Sequence, residues 1–231
     1  MSQELYMIDA HKGREVIYSC LSRMFLELPS LDLYKMLETI LPSLENMVID
    51  DEDDFITQGV NGIKRFLDSR KNLSEEALKS FDEKVVMDFT RLYCLTDSVP
   101  ISESVYTSIS HLTNDDVTGY VKELYNKCKF DMKNTSNEPS DHISYELMFM
   151  SYLAKGTYKH IENNNMVEAD KLLNLQRQFI NEHILKWLGD FVKATVKFTE
   201  SYSLYAPIAY FALGYVNEDN VFLGEEEKQG E

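Results

Sequence analysis

Apolar residues recur along this chain at three- and four-residue steps, and no sustained every-other-residue pattern replaces them. Ile17, Cys20/Leu21, Met24/Phe25 and Leu28 trace one helical face, which Pro29 ends. Ser30 is placed to cap a second helix, with Leu33, Met36/Leu37 and Ile40 inward. The run Asp50-Asp51-Glu52-Asp53-Asp54 leads into a third, carrying Phe55, Ile63 and Phe66/Leu67. Acids suit the positive end of a helix, so the run reads first as a solvated cluster. Ser74-Glu75-Glu76 opens a fourth helix, faced by Phe81, Val85, Phe89 and Leu92. Pro100 breaks the next stretch, and a short helix to His111 follows. Thr113-x-x-Asp116 then resembles a capping box ahead of Val117, Val121, Leu124 and Cys128.

Residues 131–137 are polar and rich in Asn and Ser, which predicts a surface linker. A helix is expected from His142 to Ile161, where Asn163-Asn164-Asn165 break the chain. Leu172, Leu175, Phe179, His183 and Trp187 share a face of the helix after it, and two more, over 190–200 and 204–215, complete the set. The prediction is an all-α protein: one compact helical domain of roughly nine to eleven helices over residues 1–216. Residues 217–231 are acidic and thin in apolar side chains, and are expected to form a flexible tail. Punctuation agrees, because 9 Gly and 5 Pro in 231 residues are too few for the tight turns of an all-β fold.

Charge narrows the function classes. With 23 basic and 39 acidic residues the formal net charge is −16, which repels nucleic acid and anionic membrane surfaces. Such acidity serves solubility first and fits a basic partner second. Cys20, Cys94 and Cys128 form no C-x-x-C pair and read as small core residues in a reducing compartment. The first ten residues lack a basic and apolar leader pattern, and no apolar run approaches the roughly 20 residues of a membrane span. A soluble, cytoplasmic protein is expected, with no membrane insertion. Enzyme motifs are missing too. His142-x-x-x-Glu146 offers two metal ligands on one helix face, and His111-x-x-x-Asp115 straddles a cap, but no Glu-x-x-His element occurs. Lys155-Gly156-Thr157 lacks a phosphate loop, and there is no G-x-S-x-G.

Several polar residues stand where a plain structural reading and a binding one compete. Structurally, Asp141 or Ser140 caps a helix with Pro139 near its first turn, and His142 is an ordinary helix residue. Asp88 and Arg91 make a surface pair worth less than about 1 kcal/mol. Tyr93 and Tyr106 are half-buried packing, while His183 and Trp187 are core packing in which the imidazole and the indole N–H each find a partner. As a binding site, a carboxylate at a helix start pairs with guanidinium, an imidazole adds a hydrogen bond, and tyrosines wall an apolar groove. Alternatives at this level are a helical ligand-binding regulator or a metal-binding helical protein. The regulator lacks a basic recognition helix, since Lys64-Arg65 and Arg70-Lys71 are isolated.

Three ordered blocks carry a resemblance. Asp88-Phe89-Thr90-Arg91-Leu92-Tyr93 with Pro100-Ile101-Ser102-Glu103-Ser104-Val105-Tyr106, then Glu138-Pro139-Ser140-Asp141-His142, then Phe179 to Trp187, resemble the signatures of the TorD/DmsD/NarJ family. These are all-helical cytoplasmic chaperones that mature molybdenum-containing redox enzymes. The resemblance implies a non-enzyme that binds the twin-arginine leader, and the body, of a molybdopterin-dependent oxidoreductase catalytic subunit. It would assist cofactor insertion and prevent premature export. Leader contacts are implied at Glu138, Pro139, Asp141, His142, Asp88, Arg91, Tyr93, Glu103, Ser104 and Tyr106, with Asp141-His142 foremost. No resident cofactor and no metal are expected; contact with molybdenum cofactor or guanine nucleotide is a family trait without a motif here. The family includes monomers and swapped dimers, so a homodimer stays open.

Overall fold

The structure is a computed structural model, and it describes residues 3–95, 97–131 and 138–230. Ten α-helices and no strand occur among the described residues: α1 Gln3–Leu26, α2 Leu31–Glu45, α3 Phe55–Lys71, α4 Glu75–Tyr93, α5 Glu103–Thr107, α6 Asp116–Lys127, α7 Ile143–Glu162, α8 Met166–Phe179, α9 Leu185–Phe198 and α10 Tyr205–Gly230. A π-helical turn, Ile180–Ile184, joins α8 to α9 without a break. The all-α expectation holds. Most of the linker expected over 131–137 lies outside the described residues.

Local chemistry sets the ends. Ser30 accepts the Leu33 N–H, Asp54 that of Thr57 and Ser74 that of Ala77, as the polar residue before each apolar run predicts. Two starts differ from expectation. Asp115, not Thr113, caps α6, accepting the Asp116 N–H at 2.7 Å. His142, not Asp141 or Ser140, caps α7. The short helix also stops at Thr107 rather than His111. The loop beyond it holds His111 and Asn114 at φ of 53° and 62°, left-handed conformations that end a helix.

Contacts divide the chain into two compact units. The first comprises Met1–Phe25, Ser102–Trp187 and Glu218–Glu231, the second Leu26–Ile101 and Leu188–Asn217. In the first, α7 is buried on nearly every face, and Tyr125, Phe130, Phe149 and Phe179 pack with ring centroids 4.7–5.3 Å apart. The boundary expected at residue 216 falls inside α10. Asp219, only 4% exposed, accepts two hydrogen bonds from Arg14, at 2.5 and 2.9 Å, and one from Tyr18 at 2.6 Å. His11 lies 2.7 Å from the same guanidinium. An acid that reads as tail chemistry is therefore a buried partner, and Leu223 is buried one turn later.

The second unit packs α2, α3, α4 and α9 with the start of α10. Its core includes Leu33, Leu37, Val60, Ile63, Phe66, Phe89, Phe191, Tyr205 and Phe211. Helices α3 and α10 approach through glycine: a Cβ on Gly59 would meet Phe211 at 2.5 Å, and one on Gly62 would meet Pro207 at 2.5 Å.

Candidate functional site

The signature residues of the first unit meet at the start of α7. Pro139 begins a turn in which its carbonyl accepts the His142 N–H at 3.1 Å. Ser102 and His142 form an isolated antiparallel bridge, and the Asp141 carbonyl accepts the Glu103 N–H at 3.0 Å. The Asp141 carboxylate is fully buried. One oxygen accepts the Ser104 N–H at 2.8 Å, and the other accepts the Thr118 hydroxyl at 2.8 Å. A single side chain thus ties the starts of α5 and α7 to the first turn of α6.

His142 is 3% exposed. Its Nδ1 accepts the Ser144 N–H at 3.2 Å and lies 2.7 Å from the Ser144 hydroxyl. Accepting at Nδ1 places the ring proton on Nε2. Burial lowers the imidazole pKa to about 4 against the opposing pull of Asp141, so the ring is neutral near pH 7.

Beneath this turn lies a set of acids. Glu103, 3% exposed, is 3.0 Å from Nδ1 of His183 on the π-helical turn. Glu146 is fully buried and accepts the Trp187 indole N–H at 3.2 Å. Burial holds the Glu146 pKa well above the usual carboxylate range, helped by the charge of Glu103. The site therefore favours the protonated form of Glu146. Burial likewise raises the Tyr125 phenol, with Glu146, Asp141 and Glu103 adding to the effect. Tyr106 is half-buried, its ring 5.3 Å from that of Trp187.

The predicted binding set divides accordingly. Glu103, Ser104, Tyr106, Pro139, Asp141 and His142 are brought together, but Asp141 spends both carboxylate oxygens inside the protein, one of them on the Ser104 N–H. Glu138 is the exposed carboxylate of its motif. Asp88, Arg91 and Tyr93 belong to the second unit. There Asp88 is buried rather than a surface acid, and Arg91 donates to it at 2.8 Å and to the Phe198 carbonyl at 2.7 Å. Tyr93 is core, its hydroxyl 3.4 Å from that of Thr195 and its ring 5.5 Å from those of Phe89 and Tyr205.

Thr118, Tyr125 and Glu146 complete the cluster and were missed as site residues. Glu146 carried a signal, being the one acid inside the apolar run Ile143 to Met150. The polar partners expected of His183 and Trp187 within their packing are Glu103 and Glu146. Among the described residues, no three His, Cys, Asp or Glu side chains are arranged to hold a metal ion.

Residues 50–193 match the family described as nitrate reductase delta subunit, which covers more than half of the chain. The chain belongs to that TorD/NarJ family. It is 25% identical over 228 residues to the chaperone protein TorD of Vibrio cholerae, covering 97% of each chain. With the chaperone protein TorD of Aliivibrio salmonicida it shares 26% over 225 residues, 94% of this chain and 97% of the relative. The TorD chaperone of Vibrio atlanticus matches to the same extent. The family places this protein among redox-enzyme maturation chaperones, not enzymes. Within the family's signatures, the geometry makes Asp141 and His142 a buried frame and Glu138 its accessible acid. No helix among the described residues is long and apolar enough to cross a membrane.

Proposed function

We propose that this chaperone works in the cytoplasm. It binds the twin-arginine leader of a molybdopterin-dependent oxidoreductase subunit and holds that subunit back from export until its cofactor is inserted. The observation that carries this reading is the family match, which runs across both units and includes the whole Asp141–His142 turn. The net charge of −16 supports it, since an acidic surface speeds encounter with a basic leader. So does Glu138, whose exposed carboxylate suits a guanidinium. Asp141 and His142 act through the turn that presents Glu138, because neither reaches solvent.

The test is binding of a synthetic leader by fluorescence anisotropy, with its Arg-Arg pair changed to Lys-Lys and to Ala-Ala. The arginine peptide binds at least about tenfold more tightly than the alanine one, the equivalent of roughly 1.4 kcal/mol. The lysine peptide falls between, because an ammonium is not a bidentate donor. Equal affinity for all three sinks the reading.

A further inference from the structure

Burying one carboxyl in an apolar interior is costly, and the first unit buries two side by side. His183 holds Glu103 of α5, and Trp187 holds Glu146 of α7. Those two holders lie four residues apart, about one helical turn, which makes their carboxyls neighbours. Glu146 Oε2 accepts the indole N–H, but among the described residues no group donates to its buried Oε1. Ionised, that oxygen is left unsatisfied; protonated, it becomes a donor, and Glu103 beside it is an acceptor. The other groups facing the pair come from several elements. Asp141 of the signature turn adds negative charge, although Ser104 and Thr118 occupy its oxygens. Tyr125 of α6 and Tyr145 of α7 bring phenols, and burial keeps His142 neutral. Helix α1 meets the start of α7 through the uncharged Ser22 hydroxyl. His183 is 15% exposed and forms the edge of the cluster at solvent, a way in and out for a proton.

We propose that Glu103 and Glu146 share a single proton and act as a latch, holding α5 and the π-helical turn against α7 while it is bound. Loss of that proton as pH rises puts two negative charges into one dry site, and the latch opens. Burial sets the Glu146 pKa higher in the folded chain than in the unfolded one. Its contribution is therefore complete below the unfolded carboxyl range and is lost as pH rises through the folded value. Opening reaches the signature turn, because Glu103 donates its N–H to the Asp141 carbonyl and Ser102 bridges His142. The latch is then a pH control on the turn that presents Glu138, a consequence that rests on the leader-binding reading. The shared proton itself does not.

Trp187 is the single tryptophan of the chain, is 1% exposed and is bonded to Glu146, so its emission reads the latch directly. The full chain is titrated over roughly pH 5 to 9, with circular dichroism confirming that it stays helical. Emission of the unmodified protein shifts to the red in one proton-linked step, as the buried indole meets water. Glu146→Gln keeps an acceptor for the indole and adds a donor beside Glu103, so the step disappears. Urea unfolding follows the same course. As pH rises, the folding constant of the unmodified protein falls relative to that of Glu146→Gln by up to about tenfold per pH unit. Glu103→Gln removes the neighbouring charge, so the step moves to lower pH by about one unit or more. A step that persists in Glu146→Gln belongs to His183 and overturns the proposal, as does a step that Glu103→Gln leaves in place. Emission that stays flat in the unmodified protein overturns it too. A leader that binds at no pH sinks the leader reading and leaves this titration as it is.

Discussion

At the scale of single residues, Asp141 decides how the signature is to be understood. Its carboxylate was legible as important and not legible as buried, because its partners lie 37 and 23 positions away at Ser104 and Thr118. Sequence identifies the residue type at a helix start; only the fold says what faces it. Asp141→Ala leaves the Ser104 N–H and the Thr118 hydroxyl buried without an acceptor, and is expected to cost about 2–4 kcal/mol in urea unfolding. Asp141→Asn keeps one acceptor for Ser104, and the Thr118 hydroxyl can reorient to accept, so roughly half that loss is expected. His142 supplies a pH signature. Its folded pKa of about 4 lies below the imidazole's ordinary 6.5, so the unfolded chain takes up the proton first as pH falls. Its contribution is complete above pH 6.5 and is lost progressively down to pH 4, on the order of 3 kcal/mol in all. His142→Asn retains a capping acceptor for Ser144, and its unfolding midpoint is expected to vary less between pH 6.5 and 4.5 than that of the unmodified protein.

Among elements, what the sequence revealed and what it hid separate by range. The interiors of α2, α3, α4 and α7 and three helix caps follow from local periodicity and short polar residues. The end of α10 does not, because an acidic run offers no local sign that Asp219 meets Arg14, 205 residues away. The π-helical turn was hidden for another reason: Phe179, His183 and Trp187 keep helical spacing through it. The extra residue per turn there belongs to the stretch that sets His183 beside Glu103 and Trp187 beside Glu146. The α10 end can be checked directly. Asp219→Ala leaves the buried Arg14 charge without its carboxylate and is expected to destabilise by about 3–5 kcal/mol, seen as a lower midpoint in thermal or urea melts. Pairing Arg14→Met with Asp219→Leu removes both charges, and recovers most of that loss.

For the molecule as a whole, charge and family membership carry more than any one contact. A formal charge of −16 acts beyond any single contact such as Glu138. Leader association measured by stopped flow is therefore expected to slow about tenfold or more between roughly 0.05 and 0.5 M salt, with dissociation changing much less. Composition made this legible, as the ordered blocks made the family legible. The segregation of Asp88, Arg91 and Tyr93 into one unit and the Asp141 cluster into another was not legible, since both units are assembled from separated stretches of chain.

A carboxylate whose oxygens are both taken up by its own polypeptide has nothing left over for a visitor. Asp141 therefore behaves as chassis rather than gripping surface. An exposed side chain such as Glu138 can be re-lettered without disturbing it. The fingerprint that announces this kind of chaperone is then, by construction, silent about which enzyme it escorts.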